Sequence, residues 1–177
     1  MYFLYIGQLE PYKGVRVLLD AWKKFIAEYP EARLEIAGSG SLEEEVRGAV
    51  TRIRGIQYHG FIAHDRLPEL IYGARATILP TLAYETFGLS IIESFAAGVP
   101  VIVSRIGATP ELVEDGVNGY LVTPHDPSAL YSAFTNMAGA SWNTLSENAK
   151  RSANKYTIAQ YRLTLQALYM TLTGRSL

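Results

Sequence analysis

Cysteine is absent from this chain of 177 residues. That excludes disulfides and thiolate metal sites, and it fits a reducing compartment. The only histidines are His59, His64 and His125, too scattered to suggest a metal site. No Asp-x-Asp pair is present to hold a metal-bound sugar phosphate, so no metal or other cofactor is expected. No serine sits in a Gly-x-Ser-x-Gly elbow, which removes a Ser–His–Asp hydrolase of that type. An excess of one charge is also missing: 16 basic and 17 acidic residues leave a net charge of −1. Nucleic acid and anionic membrane surfaces are therefore not the expected partners. No apolar run is long enough to span a bilayer. Residues 1–6 lack the basic flank and small-residue cleavage site of a signal peptide. They read as a core strand that begins at once, as in a piece of something larger.

What is present is an ordinary globular mix, 49% hydrophobic and 19% charged, long enough for one domain with a substantial core. Short apolar runs at 2–6, 33–37, 56–60, 76–79, 101–103 and 119–122 read as six strands. Between them, helical spacing predicts helices over 15–29, 42–53, 64–73 and 87–97, with a short one at 109–114. After Pro124 the pattern is helical throughout, over 129–137, 146–156 and 158–172. Strands alternating with helices predict a Rossmann-like, doubly wound parallel sheet of about six strands, covered on both faces and followed by a helical tail. In such sheets ligands bind beyond the carboxyl ends of the strands. The loops to read for chemistry are therefore 7–14, 38–41, 61–64, 81–88 and 104–109.

The richest of these is 81–88, in the run Tyr84-Glu-Thr-Phe-Gly-Leu-Ser-Ile-Ile-Glu93. Thr86 could cap the following helix, leaving the N–H groups of Phe87, Gly88 and Leu89 without intrahelical partners. Such a helix start attracts anions and hydroxyls. Gly88, without a Cβ, lets a ligand approach the backbone. Glu85 and Glu93 could touch different parts of one extended ligand, each carboxylate accepting from vicinal hydroxyls. The plainer alternative is a loop acid and a solvated helix acid. Against it, Glu93 stands among Ile92, Ser94 and Phe95, where a carboxylate is costly unless it has a partner. In the loop 7–14, Lys13 stands just before a helix and can reach a phosphate, although the glycine spacing matches neither a Walker loop nor a dinucleotide fingerprint. Gly38-Ser-Gly40 is a glycine turn that a strand-to-helix connection needs whether or not it binds anything. Thr109-Pro110 reads as a capped helix start on the same rim.

Taken in order, Gly-x-Leu…Lys13-Gly, Ala-Gly38-x-Gly, Gly60-Phe, Glu85-x-Phe-Gly-Leu-x-x-x-Glu93-x-x-Ala-x-Gly-x-Pro and Gly107-Ala-Thr-Pro-Glu-Leu-Val resemble the retaining glycosyltransferases of the GT4 type. The resemblance runs from Tyr2 to about His125. It implies the C-terminal, donor-binding half of a GT-B fold as a single domain over 1–177. It also implies a nucleotide-diphosphate sugar as ligand, with UDP favoured and GDP or ADP open. By that resemblance Glu93 binds ribose, Ile62 meets the base through its backbone, and Gly38 lies in the donor site. Glu85 faces the donor sugar, while the amides of Phe87, Gly88 and Leu89 meet sugar and diphosphate. Lys13 neutralises the diphosphate, and no metal is needed. Glu85 and Lys13 are the residues it places in catalysis.

Two departures from the family stand out. Where the family usually has Gly-Arg-Leu, this chain has Gln8, which donates hydrogen bonds but brings no charge. The N-terminal domain, which carries the acceptor site in the family, would act in cis or in trans. The chain alone is expected to bind donor weakly and to transfer little or no sugar. Its expected location is the cytoplasm, with any membrane association coming through the other domain. Two further readings stay open: a non-catalytic nucleotide or nucleotide-sugar binding module, and a glycoside hydrolase using Glu85 and Glu93. The second ranks last, because free helix amides and Lys13 suit a phosphate.

Overall fold

The computed structural model describes residues 1–174. The chain runs β1 (Tyr2–Ile6), α1 (Val15–Glu28), β2 (Arg33–Ala37), α2 (Glu43–Arg52) and β3 (Ile56–Gly60). It continues through α3 (Leu67–Tyr72), β4 (Ala76–Leu79), α4 (Leu89–Ala96), β5 (Val101–Ser104), α5 (Thr109–Leu112) and β6 (Gly119–Val122). Three helices close it: α6 (Pro127–Gly139), α7 (Trp142–Ala153) and α8 (Ile158–Thr173). The strands form one six-stranded sheet in the order β3-β2-β1-β4-β5-β6. Every pairing is parallel.

Alternation along β1 sets the two layers. Phe3 and Tyr5 point into a core shared with α1, α2 and α6, whereas Leu4 points to the opposite face, where it meets Ile71 of α3. Farther along that second face, Ile91 and Phe95 of α4 pack with Val101, Val103 and Ala149 of α7. Both faces are covered, so the strands are apolar on both sides, as parallel sheets require. The first core centres on an aromatic cluster. Phe3, Trp22, Phe25 and Phe134 meet largely edge to face, with centroids 4.9–6.1 Å apart. Trp22 also donates its indole N–H to the Arg54 carbonyl at 3.2 Å. On β2, the buried Glu35 carboxylate is partnered by His59 Nε2 at 2.7 Å.

The expected strands are all present, and most helices shift only at their ends. The helix expected over 64–73 is a 3-10 turn at His64–Arg66 followed by α3. The helix α6 begins at Pro127, earlier than apolar spacing suggested, because the Asp126 carboxylate accepts from the Ser128 and Ala129 N–H groups. The helix α7 starts at Trp142 and not at 146. Thr109 does not cap α5. It is the first helical residue, and its hydroxyl donates to the Ser104 carbonyl at 2.6 Å. The tail helix α8 has no buried residue, and Ile158 and Leu172 are 80% and 74% exposed. Among the described residues no helix is long and apolar enough to cross a membrane.

Phe134 ties α6 to α1 through the aromatic cluster. Truncating a buried phenylalanine leaves a cavity as well as losing burial, about 3–5 kcal/mol. Phe134→Ala is therefore expected to lower the urea midpoint by an amount equivalent to that loss. A midpoint close to wild type would mean that the cluster does not hold the two helices together.

Candidate functional site

Winding reverses between β1 and β4, the two central strands. The chain leaves β1 toward α1 on one face and leaves β4 toward α4 on the other. The two loops therefore part at the carboxyl edge and leave a crevice between them. The β1 loop contains Gln8 and a 3-10 turn, Pro11–Lys13, closed by Gly14. The Tyr12 carbonyl accepts from the Leu82 N–H at 2.7 Å and from the Thr81 hydroxyl at 3.4 Å, which fastens this loop to the one after β4. Lys13 makes no ion pair among the described residues; its Nζ lies 5.6 Å from the centre of the Tyr12 ring. Gln8 is exposed, and its side-chain oxygen accepts from the Tyr12 hydroxyl at 2.7 Å. Its backbone carbonyl accepts from Tyr5, also at 2.7 Å. Burial pushes the Tyr5 phenol far above its ordinary range, so it stays a donor at every working pH.

The loop 81–88 differs from expectation. The helix α4 begins at Leu89, not Phe87, and its N-cap is Gly88 at φ 78°. Thr86 caps nothing, because the left-handed turn at Gly88 moves the helix start beyond its reach. Of the three amides expected to be free, Gly88 N–H is taken: it donates to Glu85 Oε1 at 3.2 Å. At this helix start the N–H groups of Phe87, Leu89 and Ser90 have no partner among the described residues. Glu85 is itself fixed from behind. Its carbonyl accepts from the Ala108 N–H at 2.8 Å. Gly107, at φ 63°, packs so close that a Cβ would stand 2.3 Å from the Glu85 carbonyl oxygen. The other carboxylate oxygen of Glu85 has no partner among the described residues.

Glu93 also departs from expectation. It is exposed and unpaired, so the burial cost inferred from its neighbours does not arise. Helical geometry explains this. One step along the helix turns about 100°, which sends Ser94 inward and leaves Glu93 at the edge. Ser94 anchors that rotation: its hydroxyl pairs with the Thr77 hydroxyl of β4 at 2.7 Å and bonds the Ser90 carbonyl at 2.8 Å. Glu93 lines a groove of about 240 Å³ between α3 and α4, together with His64, Leu67 and Tyr72. A larger cleft of about 430 Å³ lies beside it, lined by Gln8, Gly38, Ile62 and again Leu67. Leu67 lines both openings. Gln8, Gly38 and Ile62 thus line one and Glu93 the other, while Lys13, Glu85, Phe87 and Leu89 belong to the two loops of the crevice. Ile62 keeps both backbone polar groups free among the described residues. Gly38 does not: its N–H donates to Gly60 and its carbonyl accepts from Tyr58. A Cβ there would stand 1.8 Å from the Gly7 carbonyl, so packing alone accounts for this glycine.

The sequence profile described as Glycosyl transferases group 1 matches residues 1–139. The chain belongs to this family. Its relatives include the O-antigen chain mannosyltransferase B of Escherichia coli, 37% identical over 139 residues, which are 73% of this chain and 34% of that protein. A glycosyltransferase of Methanocaldococcus jannaschii is 34% identical over 130 residues, 72% of this chain and 33% of that protein. This group 1 chain thus spans about a third of the length of the curated relatives it matches. Among solved structures, Anabaena HepE in complex with UDP superposes with a TM-score of 0.81 at 25% identity, covering 94% of this chain and 48% of HepE. The C-terminal domain of a Francisella tularensis group 1 glycosyl transferase matches with a TM-score of 0.77 at 24% identity, over 89% of this chain and 87% of that domain. The shared architecture is the Rossmann-like C-terminal domain of the GT-B fold.

Some residues that shape the candidate site carry no signal in the sequence. Glu10 is one. Its carboxylate accepts from the Ser41 N–H at 2.9 Å and hydroxyl at 2.6 Å, tying the loop after β1 to the loop after β2. Only the folded sheet makes these residues neighbours. Those two hydrogen bonds, the hydroxyl's first, hold the Glu10 carboxyl below its ordinary value. A carboxyl depressed in the fold stabilises above its unfolded pKa, and the contribution is lost as pH falls through the folded value. Ser41→Ala is expected to raise the Glu10 pKa toward the usual carboxylate range, read by NMR titration of its side-chain carbon. An unchanged titration would mean that the Ser41 hydroxyl does not hold this loop.

Proposed function

We propose that this chain is the donor-binding domain of a retaining glycosyltransferase and takes a nucleotide-diphosphate sugar into the β1/β4 crevice. The observation that carries the reading is the charge arrangement at that edge. An ammonium without an ion pair at Lys13 and open N–H groups at the start of α4 suit an anion, while an unpaired carboxylate at Glu93 suits hydroxyls. A diphosphate flanked by a ribose and a sugar satisfies both at once. Family membership and the likeness to a UDP-bound structure support the same ligand class. UDP is the favoured nucleotide, with GDP and ADP as alternatives.

In this reading Glu93 accepts from the ribose hydroxyls and Ile62 reads the base edge with its free backbone groups. Lys13, the Gln8 amide and the helix-start N–H groups meet the diphosphate. Glu85 keeps one oxygen on Gly88 and offers the other to a hydroxyl of the donor sugar. During transfer the bond from the anomeric carbon to the diphosphate breaks and one to the acceptor oxygen forms on the same face. The acceptor's proton leaves with the departing diphosphate. Fixed donors aimed at that leaving group stabilise the charge developing on it, and no metal is assigned to the step. The acceptor is assigned to a second domain, in cis or in trans.

Calorimetric titration of UDP, GDP and ADP against wild type and Glu93→Ala tests the reading. The wild type is expected to bind at least one nucleotide at micromolar to millimolar concentration. Losing hydrogen bonds to a charged group costs about 1.5–3 kcal/mol, roughly 10-fold to 100-fold in affinity. Glu93→Ala should weaken binding by that much. No binding at millimolar nucleotide, or equal binding by the variant, would contradict the proposal.

A further inference from the structure

Tyr12 occupies the middle of the 3-10 turn Pro11–Lys13, and three separate parts of it touch residues of the crevice loops. Its hydroxyl donates to Gln8 Oε1 at 2.7 Å. Its ring lies under the Lys13 ammonium, 5.6 Å from Nζ to the ring centre. Its carbonyl holds the Leu82 N–H at 2.7 Å, the start of the opposite wall. No role has been assigned to it so far, and the backbone contact would be made by any residue. The hydroxyl and the ring are specific to tyrosine.

The hydroxyl matters because of what a glutamine is. Its amide has an acceptor oxygen at one end and two N–H donors at the other. An unrestrained amide can present either end, and the oxygen end repels an anion. When the phenol donates to Oε1, the oxygen is occupied and the NH₂ group is the end left for a ligand. An arginine has only donors and needs no such help. The ring acts alongside: a cation within about 6 Å of an aromatic centre is attracted to its face, so the same side chain also steadies the Lys13 charge.

We propose that Tyr12 is a positioning residue for the diphosphate, with its hydroxyl fixing the Gln8 amide donor-side outward and its ring holding the Lys13 ammonium. The proposal rests on the donor-domain reading given above. It explains how this chain keeps an anion-compatible first loop with a neutral side chain at position 8.

The test is a double-mutant cycle read by calorimetry, with UDP as the probe, or GDP or ADP if the wild-type titration selects one of those. Tyr12→Phe keeps the ring and the backbone and removes only the hydroxyl. It is expected to weaken binding about threefold to tenfold, the range of one neutral hydrogen bond. In a Gln8→Ala background the same change should cost nothing further, since coupled residues are non-additive. A Gln8→Arg background should likewise be insensitive to Tyr12→Phe. Tyr12→Leu, which also removes the ring, should bind more weakly than Tyr12→Phe. Equal affinity of Tyr12→Phe and wild type would overturn the positioning role, as would an equal loss with and without Gln8. Either result would leave the donor reading standing. A wild-type chain that binds none of the three nucleotides would overturn both.

Discussion

Everything at the candidate site follows from one topological constraint: β1 lies beside β4 in a sheet whose pairings are all parallel. Parallel neighbours must be joined by crossovers, and right-handed crossovers place the connecting helix on a face fixed by the direction of travel. The chain winds outward from β1 to β3, then returns to β4 and winds the other way. The loops leaving β1 and β4 consequently go to opposite faces and cannot pack fully against each other. The gap between them is forced by connectivity, and among the described residues its walls carry an ammonium without an ion pair at Lys13 and unpartnered N–H groups at Phe87, Leu89 and Ser90.

A gap alone would be loose, and several contacts keep it in shape. The carbonyl of Tyr12 bridges the walls through Leu82, and Gly107 backs the Glu85 carbonyl from the β5 side. Glu10 and Ser41 fasten the first loop to its other neighbour. The Thr77–Ser94 hydroxyl pair sets the rotation of α4 on the sheet and thereby keeps Glu93 at the groove. None of these supports is itself an unpaired polar group. A division of labour results, in which satisfied groups hold the loops and unsatisfied ones face outward. Preorganised donors of this kind suit a ligand whose charge must be met without rearrangement.

The sheet was legible in the sequence because buried parallel strands are short apolar runs, and each such run here is ended by a glycine, proline or polar residue. The residues of the site were legible as chemical types, but their partners were not. Glu93 looked costly among apolar neighbours because a linear reading cannot separate the two sides of a helix. Phe87 looked helical because its spacing is right, yet the left-handed turn at Gly88 delays the helix and turns Glu85 into a partner for that glycine. Tyr12, in an exposed turn, has no periodic signature. Its bond to Gln8 depends on a 3-10 turn whose conformation local propensity does not specify. The pairs Glu10–Ser41 and Glu35–His59 join different strands and loops, so they exist only once the sheet is assembled.

In the function proposed here, a nucleoside diphosphate binds in the opening between β1 and β4. The most direct measurement is a map of backbone amide chemical shifts during titration of the isotopically labelled chain with UDP. The largest changes are expected at Lys13, Phe87, Leu89 and Ser90 on the two walls of the crevice and at Ile62 in the cleft beside it. Changes confined to one wall, or centred on the exposed face of α8, would contradict that placement.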